Sequence, residues 1–256
     1  MIPHALPWVA AVFGLVIGSF LNVCIFRLPE GLSIVLPSSR CRTCGHELAW
    51  FENIPIVSFL ALRGRCRRCG ASISLQYALV ELATAVLFAA AAVRFEPGWL
   101  LASRLVLGSS MIVLFMIDLE HRILPNVITI PGIVAGVLFS LVTEPGWVAS
   151  LAGAAAGGGV LLGISEAYYR IRHEHGLGMG DVKMLAMIGA FLGWKLMLLT
   201  LVVSSFLGSI VGVTMIATGR GDMKYALPYG TFLAVGTIAS SFVGDPIVRW
   251  YLSFYS

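Results

Sequence analysis

The chain has 256 residues, 58% of them hydrophobic and only 12% charged, and its mean hydropathy is +0.91. A soluble helical core of this size would need far more polar surface, so the composition points to a polytopic, all-α membrane protein embedded in lipid. The formal net charge of +4 is spread over several loops, which reads as a topology signal and argues against a nucleic-acid partner.

A bilayer-crossing helix needs ~20 mostly apolar residues. Taken in chain order, the apolar runs predict about eight membrane segments, at 6–26, 76–93, 98–117, 126–143, 147–169, 184–193, 196–218 and 229–249. The first lacks a basic leader, since only His4 precedes it, and no small-residue cleavage site follows, so it is expected to be retained. Cys24 inside it reads as a small buried hydrophobe. The sixth segment is short for a full crossing and is expected to be a half-helix, tilted, or buried against its neighbours. Twenty-eight glycines suit helices that approach closely in lipid, and the stretch Gly153 to Gly159 lies inside a span, where packing explains it better than phosphate binding. The expected division is a first membrane helix at 1–27, a polar loop at 28–75 and a membrane domain at 76–256.

The loop carries two Cys-x2-Cys pairs, Cys41-Arg-Thr-Cys44 and Cys66-Arg-Arg-Cys69, separated by residues 45–65. Two tight knuckles at this spacing can converge four thiolates on one Zn²⁺. Gly45 and Gly70 follow the second cysteine of each pair, where a knuckle turn often needs positive φ. A loop this short can scarcely build its own core, so a metal would supply much of its folding energy. Disulfides, redox pairs and incidental unpaired thiols are the alternatives. The arginine distribution disfavours disulfides, because it places the loop in a reducing compartment.

Two aspartates stand where long apolar runs meet polar turns. Asp118 follows Met111 to Ile117 and precedes Leu124-Pro125, a tight return into the next helix. Asp181 lies in Gly178-Met179-Gly180-Asp181-Val182-Lys183, where Gly178 and Gly180 let the backbone bend and approach another helix. Carboxylates beside hydrocarbon are costly and mark a functional site by default. Two that meet can share a proton and activate water, as in an aspartic protease. Each also has a structural reading: Asp118 as an interfacial acid paired with Arg122, and Asp181 as a helix N-cap. Lys183 is either a substrate-orienting cation or a positive-inside anchor. Glu120, His121, His173, Glu174 and His175 lack compact ligand spacing and read as solvated loop residues rather than a metal site.

Orientation follows the basic residues. Arg27, Arg40, Arg42, Arg63, Arg65, Arg67 and Arg68 cluster around the first loop. Arg122, Arg170, Arg172, Lys183, Arg220 and Lys224 fall at segment ends on the same side if all eight segments cross. The other side has Arg94, Lys195 and Arg249, and Arg104 lies within a span. The expectation is a cytoplasmic cysteine loop and cytoplasmic aspartates, with both termini outside.

The residues resemble the type IV prepilin peptidases, also called prepilin leader peptidase/N-methyltransferases, over nearly the whole chain. The resemblance runs through Gly18-Ser-Phe-Leu-Asn-Val-Cys-Ile-Phe-Arg-Leu-Pro29, the four-cysteine loop, Asn53-Ile-Pro55, Leu62-Arg-Gly-Arg-Cys66 and Tyr77-Ala-Leu-Val-Glu81. It continues with Asp118…Leu124-Pro125, Gly178-x-Gly-Asp-x-Lys183 and Pro228-Tyr-Gly230. Gln76 and Ala78 depart from the Arg and Pro expected there. The resemblance implies a bacterial inner-membrane enzyme that cleaves the leaders of prepilins and pseudopilins after a glycine. Asp118 and Asp181 are its implied catalytic residues, with Gly178, Gly180, Lys183 and Glu81 as substrate-binding or supporting residues. It also implies N-methylation of the new terminus with S-adenosylmethionine, an activity associated with the cysteine loop, and a peptidase domain at 76–256. Glu81 and the Gly18–Pro29 segment are the candidates for the methyl-donor site. A presenilin-like protease would carry Tyr before the first Asp and Pro-Ala-Leu late in the chain, whereas Ile117 and Pro228-Tyr-Gly230 stand here. A proton-coupled transporter would show an inverted repeat with paired broken helices, and none is visible.

Overall fold

The computed structural model describes residues 5–173, 178–219 and 227–254, apart from the side chain of Arg172. The loop residues Glu174, His175, Arg220 and Lys224 lie outside the described residues, as does His4. The fold is all-α, with two isolated bridges in the cysteine loop as the extended pairings among those residues. Contacts divide the chain into two compact units, Met1–Pro97 and Gly98–Ser256.

The first unit is a helical hairpin with a long polar connection. Helix α1 (Leu6–Arg27) carries Pro7 in its first turn, where a missing N–H costs nothing. A short 3₁₀ turn (Trp50–Asn53) and α2 (Val57–Ala61) interrupt the loop. Helix α3 (Leu75–Arg94) starts at Ser74, whose Oγ accepts from the Gln76 N–H at 3.3 Å. Gly14 packs on Thr84 and Ala85 while Gly18 packs on Glu81 and Thr84, so the two helices run antiparallel. A Cβ on Gly14 would stand 2.7 Å from the Ala85 Cα, and one on Gly18 2.7 Å from the Glu81 Cα. Only glycine permits this approach.

The second unit contains α4 (Trp99–His121), α5 (Asn126–Ser140), α6 (Trp147–Arg172), α7 (Met179–Ala217) and α8 (Tyr229–Leu252). Their directions follow from contact pairs. Asp118 at the end of α4 meets Thr231 at the start of α8, while Arg104 senses Asp245 near the far end of α8, so α4 and α8 are antiparallel. Gly132 and Gly136 of α5 face Met187 and Ala190, a parallel pairing with the start of α7. On α6, Gly153 faces Gly189 and Gly157 faces Leu185, an antiparallel pairing.

Helix α7 has 39 residues, about 58 Å at 1.5 Å per residue, which far exceeds the ~30 Å hydrocarbon core. Gly193 breaks it with φ 74° and ψ 171°. Beyond the break, Leu196 reaches Gly244, Ser204 reaches Gly236, and Gly212 reaches Leu227. This arm is therefore antiparallel to α8, whereas the arm before Gly193 runs parallel to α5, which starts at the same end as α8. The chain reverses at Gly193, a conformation that demands glycine. Among the described residues six helices are long and apolar enough to cross a bilayer, while α5 is a shorter apolar helix of 15 residues. The predicted sixth and seventh segments are the two arms of α7.

The core of this unit gathers Met111, Leu114, Leu185, Ile188, Phe191 and Leu233, all essentially inaccessible to solvent. Outward faces stay apolar, as Val202, Phe206 and Val213 show, which fits a lipid surround. At the α6–α7 crossing a Cβ on Gly189 would run into the Gly153 carbonyl. Gly189→Ala is expected to cost roughly 1–3 kcal/mol. Gly159→Ala, with open space around it, should be neutral or slightly stabilising. Thermal unfolding of the two variants in detergent compares them directly.

Candidate active site and metal centre

The ends of the second unit differ in chemistry. The C-terminus of α4 and the N-termini of α5, α7 and α8 converge at one end, and both aspartates are there. Asp118 sits in the last turn of α4, whose backbone closes with the Arg122 N–H donating to the Asp118 carbonyl at 2.9 Å. Arg122 adopts a left-handed conformation, φ 55°, which ends the helix and starts the return to α5. The Asp118 side chain is only 5% exposed. Its Oδ2 accepts from the Thr231 N–H at 2.8 Å and from the Thr231 hydroxyl at 3.2 Å. Both of these donors go to one oxygen, the Gly230 N–H also bonds to the carboxylate, and the remaining acceptor sites suit a donor such as water.

Asp181 occupies the first turn of α7 without being its N-cap; Gly178 holds that position. Its carboxylate folds back over Gly178, where a Cβ would stand 3.3 Å from Oδ2. The Asp181 N–H donates to the Gly178 carbonyl at 3.1 Å. A side chain returning to the cap in this way resembles half of a capping box. Both carboxylates therefore sit against helix N-termini, which suit negative charge. They are also close enough for Asp118 to act electrostatically on Asp181.

Leu124 fills the space between the α7 and α8 termini. A Cβ on Gly180 would lie 2.8 Å from the Leu124 Cβ, and one on Gly230 would lie 2.9 Å from Leu124 Cδ1 and 3.0 Å from Asp118 Oδ2. These two glycines let both helix starts close on the aspartate level. Lys183 is half-buried, and its Nζ donates to Asn126 Oδ1 at 2.8 Å, tying α7 to the start of α5. Tyr229 shares a 3.0 Å hydroxyl hydrogen bond with Ser205. Sequence reasoning missed Thr231, Asn126 and the spacer role of Leu124. Thr231 had one signal, its place directly after Pro228-Tyr-Gly230. Thr231→Val keeps the backbone donor and removes the hydroxyl, so about a tenfold loss of any Asp118-dependent activity is expected, measurable as initial rate.

In the first unit Cys41, Cys44, Cys66 and Cys69 bring their sulfurs within 4.8 Å of one another. Cys41 and Cys69 are 3.9 Å apart, and Cys44 and Cys66 are 4.0 Å apart. A tetrahedral site with Zn–S near ~2.3 Å needs sulfurs ~3.8 Å apart, so the four residues fit a metal. The two knuckles repeat one design. Cys41 N–H bonds to the His46 carbonyl and Cys66 N–H to the Ala71 carbonyl, each at 2.8 Å. Gly45 and Gly70 close the turns at φ +70° and +71°. N–H groups of Cys44 and Thr43 pull the Cys41 thiol down to about 6. At Cys69 the Ala71 N–H pulls the other way, yet Cys44, desolvation, Cys66 and Cys41 push the thiol up to about 11. Four sulfurs this close resist joint ionisation until a cation joins them. Among the described residues this is the group of ligands that could hold a metal; Glu120 and His121 merely pair at 3.9 Å on the surface. Glu52 braces the loop, accepting from the Ala49 N–H at 2.9 Å and facing His46 Nε2 at 3.1 Å.

Glu81 belongs to this first unit. It is 7% exposed and accepts from the Ile56 N–H at 2.7 Å.

Comparison with known proteins finds two family models. The bacterial peptidase A24 N-terminal domain matches residues 12–95, and the type IV leader peptidase family matches residues 105–213. The prepilin leader peptidase/N-methyltransferase of Aeromonas hydrophila is 37% identical over 281 residues, covering 98% of this chain and 96% of its own. The protein of the same name from Pseudomonas aeruginosa is 36% identical, with 98% and 95% covered. That of Myxococcus xanthus is 46% identical over 215 residues, with 83% and 64% covered. No solved structure matches the chain.

Proposed function

Because the chain belongs to the type IV leader peptidase family, we propose that it cleaves the leader from type IV prepilins and pseudopilins and then N-methylates the new terminus. One observation carries the peptidase half: Asp118, held by Thr231 at the start of α8, and Asp181, in the first turn of α7, gather at one end of the bundle, where Gly180 and Gly230 both close on Leu124. In this reading Asp118 and Asp181 share a proton. One takes a proton from water as it attacks the scissile carbonyl, and the other donates to the carbonyl oxygen. The roles belong to the pair rather than to either residue. Thr231 holds Asp118 in place, and Gly178 and Gly180 shape the approach to Asp181. Lys183, bound to Asn126, keeps α5 and α7 in register beside the cleft.

The cysteine loop with its flanking helices serves methyl transfer, and zinc on the four thiolates is its structural core. S-adenosylmethionine, when bound, supplies an electrophilic methyl group to the pilin's terminal amine. Cleavage belongs to the membrane domain that carries both aspartates. The site is placed at the cytoplasmic face of the bacterial inner membrane, where the basic leader of a prepilin lies. Arg122, Arg170 and Lys183 at the aspartate end support that orientation. Introduced cysteines test it: positions 122 and 173 should label from the cytoplasm, and 96 and 145 from outside. Labelling of 122 and 173 from opposite sides would remove the shared interface that the mechanism needs. The deciding experiment incubates the purified protein with a prepilin and S-adenosylmethionine and reads product mass. Loss of the leader plus one methyl group is expected, and an unchanged prepilin would refute the reading.

A further inference from the structure

A cavity of about 670 Å³ opens in the first unit between α1, α3 and the cysteine loop. Its volume lies inside the ~300–1,000 Å³ range of small-molecule sites. The walls are chemically divided. Asn22 and Glu81 line one part, and both are more than nine-tenths buried. The Asn22 amide donates to the Tyr77 carbonyl at 3.0 Å and to the Gly18 carbonyl at 3.3 Å, which fixes its orientation. Its Oδ1 is buried without a hydrogen-bond partner. An orphaned buried acceptor is costly and calls for a donor. Glu81 uses one oxygen for the Ile56 N–H and lies beside Ser19, leaving acceptor sites on its carboxylate. Elsewhere on the wall Phe26 and Tyr77 stack with centroids 4.7 Å apart, and the Arg42 guanidinium lies 4.2 Å over the Phe26 ring. The complementary ligand is a small molecule with hydrogen-bond donors, a positive charge, an anionic group and an aromatic ring.

Resting on the methyltransferase half of the proposed function, we propose that this cavity is the S-adenosylmethionine site, with Asn22 and Glu81 meeting the ligand's donor and cationic groups. The aromatic wall suits the adenine, and Arg42 suits the carboxylate. The orphaned Asn22 acceptor is the observation that fits the group to this place. The site stands on its own within the first unit, so donor binding needs no residue of the aspartate cluster.

The test uses the full-length purified protein and radiolabelled S-adenosylmethionine. Ultraviolet cross-linking to the wild type, followed by peptide mapping, should place saturable label within residues 19–81. Equilibrium dialysis should show a rise in Kd of about tenfold or more for Glu81→Gln, which keeps an acceptor for Ile56 N–H while removing the charge. Asn22→Ser should weaken binding severalfold. Bound zinc and the thermal midpoint serve as folding checks, and the wild-type cross-link decides the matter if a variant misfolds. Label confined to the second unit, no saturable label within 19–81, or unchanged Kd in both folded variants would overturn the site. If the wild type methylates a cleaved pilin yet labels elsewhere, only this placement fails; if it neither cleaves nor methylates, the proposed function itself fails.

Discussion

Asp118→Asn and Asp181→Asn are each expected to lower leader cleavage by roughly 10²–10⁴-fold or more, the scale of losing a general acid or base. Asparagine preserves side-chain volume and still offers an oxygen to the Thr231 N–H, so the α4–α8 contact should survive. The amide cannot take a proton from water or pass one to a carbonyl. Either variant should therefore accumulate in the membrane with a near-native thermal midpoint and leave full-length prepilin uncut. In the proposed dyad the two carboxylates act as a unit, so the double variant should be little worse than either single one. Mass spectrometry of the pilin product checks this, and efficient cleavage by either single variant would end the dyad mechanism.

Metal removal should have the second large effect. Purified protein should carry about one Zn²⁺ per chain, bound through Cys41, Cys44, Cys66 and Cys69. Cys66→Ser, which removes the most buried of these sulfurs, should lose it. Structural zinc contributes on the order of 10–16 kcal/mol of apparent folding energy in small domains. Besides the metal, the cysteine loop is held by one short helix, one 3₁₀ turn, two isolated bridges, the Glu52 brace and Arg27 hydrogen bonds to the Ser33 and Pro37 carbonyls, with little apolar core. Chelation should therefore melt residues 39–73 selectively, seen as fast amide exchange there, while the second unit retains its protection. Methyl transfer should fall with the metal, and cleavage should persist. Ligand thiols must lose protons to bind zinc, so affinity should drop as pH falls. Elemental analysis showing no metal, or alkylation showing linked cysteines in fresh cells, would contradict this account.

Part of this architecture was legible in the sequence because it is written in short-range patterns. Apolar run length marked the spans, since hydrocarbon demands ~20 residues whatever the neighbours are. The Cys-x2-Cys spacing marked four thiols that the fold brings together as a group able to hold a metal, since a knuckle is a local turn, and Gly45 and Gly70 adopt the positive φ that this turn requires. Asp118 and Asp181 stood out individually because charge beside hydrocarbon is costly.

What only the tertiary structure decided lies across long separations. Thr231 reaches Asp118 over 113 positions, and Asn126 reaches Lys183 over 57. No local periodicity encodes such contacts; they exist because α5, α7 and α8 all start at the end where α4 stops. The short sixth segment was ambiguous as sequence, because an apolar run does not state its direction. The contacts on either side of Gly193 decide it: α6 and α5 hold one arm, α8 holds the other, and glycine alone tolerates the reversal between them. Asn22 shows the same division most clearly. In the sequence it is a polar residue inside an apolar run; only the packing of α1 on α3 makes it a cavity-lining residue whose oxygen is buried without a partner.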